Sequence, residues 1–274
     1  MQRALVTGAS RGIGRALVAE LAGRGLEVVA TARRVDDLTD LPAAQRLPLD
    51  VTSDSSVAAA ARAAGRIDVL VNNAAVSVAA PVEDTPAEVA LAMFDTNVVG
   101  PLRLISAFLP GMRERGGGTV VNVSSVAGHA VFPLNGVHAA SKHALEALSE
   151  ALAMEAGPVG IRVLVVQLGG VATGMYERQE RYFSAAYAHL DRAQQEGFEQ
   201  VRAHGRPRSR WRATSPTRSP APMAGCGCRS GGTRRGCSPN GRAWTTRPGS
   251  PESASSPSRP RPEVLGRDRH GQRA

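Results

Sequence analysis

The sequence predicts an α/β fold, a doubly wound parallel sheet with helices on both faces, and two observations predict it. Short, near-continuous apolar runs alternate with helix-prone segments through residue 170, the pattern of strands buried on both sides. A glycine-rich turn also sits between the first apolar run and the first helix, where such folds bind phosphates. A third observation bounds the sheet: after residue 205 no apolar run is long enough for a strand, so the sheet is expected to gain none there.

The elements follow in order. Ala4-Leu5-Val6-Thr7 is the first strand, and Gly8-Ala9-Ser10-Arg11-Gly12-Ile13-Gly14 turns into a helix. Ile13, Leu17 and Leu21, at i, i+4 and i+8, give that helix one apolar stripe. Glu27–Thr31 is the second strand and Arg46–Asp50 the third. An Ala-rich helix runs to Ala64, capped near Ser53 or Asp54. Ile67–Val71, Thr119–Val123 and Ile161–Val166 are the fourth to sixth strands. Helices are expected near 86–113 and 138–156, the second ending at Gly157-Pro158. Residues 175–204 are polar and helix-prone, with Tyr176, Tyr182, Phe183, Tyr187 and Phe198, and suit either a lid over a pocket or an ordinary helix pair.

Composition divides the chain at the same place. The whole carries +9, but residues 206–274 hold 15 Lys+Arg against 3 Asp+Glu, so the front is nearly neutral and the basicity belongs to the tail. That tail has ten prolines, with Val264 and Leu265 its only branched aliphatics. It cannot bury enough apolar surface to offset its ordering entropy, so disorder is expected over 205–274. Its arginines are scattered without interleaved aromatics, which argues against nucleic-acid binding. An alternative is an out-of-frame reading of a GC-rich gene. The chain has 32 arginines and one lysine, and Trp244–Pro248 shifted by one base gives Leu-Asp-Asp-Ala-Ala. Cys226, Cys228 and Cys237, all in the tail, match neither a zinc pattern nor a disulfide framework, and no metal site is expected. Neither a signal peptide nor an apolar run of membrane-spanning length is apparent, so a cytoplasmic domain spanning 1–204 is the expectation.

The nucleotide end carries the most specific chemistry. Gly8 and Gly12 permit a tight turn and close backbone approach, Gly14 lets the helix pack on the strand, and unpaired N–H groups face a pyrophosphate. A NAD site places Asp or Glu about twenty residues on to bind the ribose 2′-hydroxyl. Here the second strand runs into Ala32-Arg33-Arg34, and Arg11 lies in the turn. Guanidinium groups pair with a 2′-phosphate, so NADP(H) is favoured over NAD(H). The competing reading is that Arg33 and Arg34 are solvated, offset by Asp36 and Asp37.

Thr7–Gly14, Asp50-Val51, Asn72-Asn73-Ala74-Ala75, Asn97, Ser125 and Lys142 occur in an order and spacing that resemble the short-chain dehydrogenase/reductase family, single-domain branch, over about residues 2–175. The resemblance implies a Rossmann-like three-layer αβα fold and a nicotinamide cofactor. It implies that Gly8, Ser10, Arg11, Gly12, Ile13 and Gly14 hold the pyrophosphate side, that Asp50 and Val51 contact adenine, and that Asn73, Ala74 and Ala75 line the cofactor. Ala75 stands where the family has glycine. Leu168–Thr173 is similar to the family's carboxamide-binding loop, with Val171 and Thr173 as contacts and Gly169 in place of proline. Asn97 matches the helix-kink asparagine of the proton relay. Ser125, thirteen residues before position 138, matches the substrate-polarising serine better than Ser124 does.

The departure is at the acid–base group. The family's Tyr-x-x-x-Lys is here His138-Ala139-Ala140-Ser141-Lys142, with His138 and Lys142 still on one helix face. In the family, lysine holds the nicotinamide ribose and tyrosine protonates the carbonyl. Histidine is a common acid–base residue, but Lys142 disfavours imidazolium, and imidazole is shorter than phenol by about 2 Å. His129 and His143 are expected to have no role. One lid tyrosine swinging in as donor is the lesser alternative.

Two readings follow. The first is an NADP(H)-dependent oxidoreductase interconverting a hydrophobic ketone and a secondary alcohol by hydride transfer, with Asn97, Ser125, His138 and Lys142 catalytic. It predicts faster ketone reduction as pH falls towards 6. The second is a non-redox or catalytically impaired protein of the same fold that binds nucleotide, as a scaffold or in a proton-transfer or cyclisation step. The Val76–Val82 loop and the lid aromatics suggest a hydrophobic small-molecule substrate. The resemblance implies assembly through the helices at 97–113 and 138–156 into a dimer or tetramer.

Overall fold

The computed structural model describes residues 1–169, 175 and 178–204. The chain divides into two units, Met1–Thr217 and Arg218–Ala274, and the second lies wholly outside the described residues, as do Val171, Thr173 and Tyr176.

Six parallel strands form the sheet: β1 (Arg3–Val6), β2 (Glu27–Ala32), β3 (Gln45–Pro48), β4 (Val69–Asn72), β6 (Gly118–Ser125) and β7 (Ile161–Leu168). Their order is β3-β2-β1-β4-β6-β7. The chain winds outward from β1 in one direction and then from β4 in the other. The crevice between those strands is therefore the switch point at which such sheets bind ligands. In register, Val6 stands beside Ala30 on one side and Val71 on the other.

Alternation along the strands builds two cores. Leu5, Val29, Leu70 and Val120 point to one face. They pack there on α2 (Asp54–Ala64) and α4 (Gly100–Glu114) through Val57, Leu104, Phe108 and Met112. Val6, Val28, Val71 and Val123 point to the other face, against α1 (Gly12–Gly23) through Val18, with the expected Ile13, Leu17 and Leu21 stripe packed around it. Ser53 caps α2, its hydroxyl accepting from Ser56 N at 3.3 Å.

α3 (Ala87–Phe94) runs into α4 through one wider π turn at Asp95–Val99, making a single helix from Ala87 to Glu114. By length and composition alone this helix could cross a membrane, but Leu104, Phe108 and Met112 are used in the core. α5 (Gly136–Ala156) crosses the sheet beside β6 and β7.

The structure moves several expected boundaries. The third strand is Gln45–Pro48 rather than Arg46–Asp50, because the Asp50 carboxylate closes a local turn with Thr52. The fourth is Val69–Asn72 rather than Ile67–Val71. Asn72 thereby pairs in register with Asn122. Segment 175–204 is also not simply helical. Its β8 (Glu180–Arg181) pairs in parallel with β5 (Val78–Ala79) before α6 (Ala188–His204) begins. Among the described residues the main sheet ends at β7, which pairs only with β6.

Candidate active site

The glycine turn is built by close approach. Gly8 and Gly12 take φ of +65° and +56°, the left-handed region that favours glycine. A Cβ on Gly14 would stand 2.4 Å from Gly8 O and 2.5 Å from Asn73 Nδ2, so no side chain fits there. Thr7 ties this turn to the end of β4. Its hydroxyl accepts from Asn73 N and Ala74 N, each at 2.9 Å, and Asn73 Nδ2 donates to Thr7 O at 2.8 Å. α1 begins after Arg11 with no side-chain cap and no acidic residue in its first turn. Its N–H groups and positive end are left for an anion.

Arg33 and Arg34 follow β2, exposed, and make no ion pair among the described residues. Asp36 and Asp37 therefore do not offset them by contact. Asp50 accepts from both Thr52 N and Thr52 Oγ1, and these bonds hold its carboxyl below the usual range, assisted by Arg33 and Arg103. Val51 is buried under Gly100, where a Cβ would lie 2.9 Å from Val51 Cγ2. The Asn97-x-x-Gly100 spacing thus joins a side chain inside the π turn to a close helix contact beside the expected adenine position. Ser10 and Ile13 are half-buried along the same turn, and Ala75 lies in the loop after β4.

The second half of the site gathers around α5. Asn97 is buried and fully used: its Oδ1 accepts from Val76 N, and its Nδ2 donates to Val76 O and to Ser141 Oγ, at 2.9, 2.9 and 3.0 Å. Ser141 donates onward to His138 O at 2.7 Å. Lys142 Nζ donates to Val123 O in β6 at 2.9 Å. His138 is buried, and its Nδ1 has no partner among the described residues. Desolvation drives the His138 pKa down to about 4. The Lys142 charge acts in the same sense, and a hydrogen bond with the Val76 backbone opposes them. Burial likewise takes Lys142 down to about 8. The imidazolium expected near pH 6 is therefore displaced to lower pH, because two cations one turn apart cannot both be charged cheaply out of water.

Ser124 and Ser125 point differently. Ser124 is buried with a hydroxyl unpartnered among the described residues, whereas half-buried Ser125 accepts from Ala127 N at 3.1 Å and donates to Leu168 O at 3.4 Å. Leu134 precedes α5 at φ +62°, a conformation uncommon for leucine. It is held there by burial and by Ala80 N donating to its carbonyl at 3.0 Å. An exposed apolar rim of Val76, Val82, Val126, Val131 and Phe132 comes from the loops around this end of the sheet. The two described tyrosines are engaged elsewhere, Tyr182 on Glu180 and Tyr187 on Glu83, and those carboxylates push both phenols up. His143 Nδ1 lies 2.9 Å from Ala139 O. A polar cleft of about 340 Å³ between Arg3, Glu27, Arg66 and Asp68 lies at the opposite, amino-terminal end of the strands and holds none of these residues.

Sequence reasoning missed the polar chain beneath the site. Asn72 donates to Asn122, which donates to Ser149, both at 2.8 Å and all buried. The available signal was an asparagine at matching positions in two neighbouring apolar strands.

With this geometry in place, the comparison with known proteins is decisive. The family model described as short chain dehydrogenase matches residues 2–182. The chain belongs to the short-chain dehydrogenase family. It is an oxidoreductase of that fold, and several relatives are closely similar. Short-chain dehydrogenase ptmH of Penicillium ochrochloron is 39% identical over 210 residues, 72% of this chain and 77% of that one. Human 17-beta-hydroxysteroid dehydrogenase type 1 is 38% identical over 190 residues, 64% of this chain and 58% of that enzyme. Among solved structures, a metagenomic short-chain oxidoreductase in complex with NADP is 34% identical. It aligns with a TM-score of 0.57 over 61% of this chain and 81% of its own.

Proposed function

We propose that this short-chain dehydrogenase interconverts a hydrophobic ketone and a secondary alcohol with NADP(H), using His138 where the family uses tyrosine. The observation that carries this reading is the buried His138 ring, its Nδ1 unpartnered among the described residues, one helical turn from Lys142. The glycine cradle fits a dinucleotide: it excludes any side chain at position 14 and leaves the start of α1 open. Arg33 and Arg34 suit a 2′-phosphate, in keeping with the NADP complex of the metagenomic relative. When bound, the dinucleotide supplies or accepts the hydride at the carbinol carbon.

The chain's own residues do the rest. Gly8–Gly14, Asp50, Val51 and Asn73–Ala75 hold the cofactor, and Lys142 holds its ribose. Ser125 orients the carbonyl oxygen from the end of β6. A neutral His138 accepts the alcohol proton in oxidation and returns it in reduction, when imidazolium must form. Asn97, bonded through Ser141 to the α5 backbone, fixes the relay. The apolar rim and the likeness to a hydroxysteroid dehydrogenase favour a bulky hydrophobic substrate.

The test is direct. Calorimetry with NADPH and NADH should show uptake, tighter for NADPH. NADPH oxidation with bulky ketones should then accelerate as pH falls through 6 towards 4. Tight cofactor uptake without turnover of any carbonyl or alcohol would overturn the reading.

One observation favours the impaired alternative: a histidine with a pKa near 4 is almost wholly neutral at pH 7 and so lacks the donor form. His138→Tyr separates the two. A large gain in reductase activity marks the natural protein as impaired, and a loss marks His138 as the working group.

A further inference from the structure

α5 carries more charge than the pair at its start. His138, Lys142 and Glu146 recur every fourth residue and so share one helix face. All three are buried, at 7%, 5% and 7% exposed. A buried carboxylate is costly unless its charge is answered. Gln167 Nε2 of β7 donates to both Glu146 oxygens, but each bond is long at 3.3 Å and the donor is neutral. His129, from the turn after β6, brings Nε2 to 3.9 Å, but its side chain is 58% exposed. The remaining cation near it among the described residues is Lys142, which carries the protein's single side-chain ammonium. Its Nζ has three donors, and among the described residues one is engaged, on Val123 O.

The backbone also reserves this space. A Cβ on Gly128 would stand 2.9 Å from both Glu146 Oε1 and Ser124 Oγ. The turn after β6 therefore closes over the carboxylate, with the unpartnered Ser124 hydroxyl at the same spot.

We propose that Glu146 is a positioning residue for Lys142, its buried carboxylate one helical turn away serving as the through-space counter-charge that keeps the ammonium charged where Val123 O holds it. The role of Lys142 at the cofactor ribose rests on the function proposed above, but the electrostatic link does not. The titratable groups around the pair are His138 on the preceding turn and His129 beyond Glu146. Among the described residues, β6 presents the Val123 carbonyl and the Ser124 hydroxyl, and β7 the Gln167 amide, none of which titrates. Burial lowers the Lys142 pKa and Glu146 acts against it.

A single lysine makes the test unusually clean. In the full chain labelled with ¹³C-lysine, the side-chain ε resonance reports the Lys142 titration without cofactor or turnover. Glu146→Gln should lower the midpoint by about one pH unit. The basic limb of NADPH turnover should move down with it. Glu146→Asp keeps the charge but withdraws it by one methylene, so its midpoint should fall by less. It also serves as the test if the amide variant does not fold by circular dichroism. An unchanged or raised midpoint in either folded variant overturns the proposal. A lowered midpoint in a protein that takes up no NADPH sustains the link while sinking the proposed function. An unchanged midpoint in an active reductase does the reverse.

Discussion

Asn97 donates its side-chain amide to the Ser141 hydroxyl at 3.0 Å, and this bond joins the π turn between α3 and α4 to the face of α5 that carries His138 and Lys142. The same side chain satisfies both the N–H and the carbonyl of Val76. One residue thus braces the loop after β4, the wide helical turn and the acid–base helix. π turns recur at functional sites because the extra residue re-aims a side chain that regular helix would point elsewhere.

Asn97→Leu should strip the Val76 N–H of its side-chain partner and leave the Val76 carbonyl to the His138 ring alone. Each unsatisfied group costs about 1–3 kcal/mol. The urea midpoint should fall accordingly. A midpoint within error of the parent would show that water replaces the amide without loss.

Gly14→Ala forces a Cβ to within 2.4 Å of the Gly8 carbonyl. Overpacking of this kind costs about 1–3 kcal/mol. The strain also falls on the phosphate turn, so NADPH uptake in calorimetry should vanish before the fold does. Gly23→Ala, where nothing stands within 4 Å, is the control and should bind normally.

Replacing Arg33 and Arg34 together by serine should weaken NADPH about tenfold or more, the value of a charge-assisted phosphate contact. NADH should be little affected. Equal losses for the two coenzymes would show that the guanidinium groups do not read the 2′-phosphate.

His138 makes the fold sensitive to acid. The unfolded chain takes up this proton near pH 6.5, whereas the folded chain resists it to about pH 4. Between those values the unfolded state binds more protons, so stability falls as pH drops and the loss is complete below the lower one. The full effect is about 3 kcal/mol. His138→Phe should flatten this part of the profile, and equal acid slopes in urea titrations at pH 7 and 4.5 would contradict it.

Much of this molecule is legible in its sequence, for identifiable reasons. The apolar runs are near-continuous, so the alternating side-chain directions of each strand set Leu5 and Val6 against opposite layers, as a sheet covered on both faces requires. The glycine turn is equally local: left-handed φ at Gly8 and Gly12 is a property of residue type. The i, i+4 pairing of His138 with Lys142 needs only a helix.

What escaped were relations between distant segments. The parallel pairing of β5 with β8 joins Val78 to Glu180, two-residue strands too short to show a period. Leu134 adopts a positive φ because Ala80 and the surrounding core hold it there, against its own preference. The shift of the third strand came from Thr52 capturing Asp50.

By itself, then, the sequence determined the order of strands and helices, the phosphate turn and the identity of the residues on the acid–base helix, since these depend on periodicity and local backbone freedom. Only the tertiary structure decided how those residues are charged. Desolvation and Coulomb coupling depend on distance through space. Spacing foresaw that Lys142 disfavours imidazolium, but the larger effect, desolvation of His138 and Lys142 against β6 and β7, came only with burial in the fold.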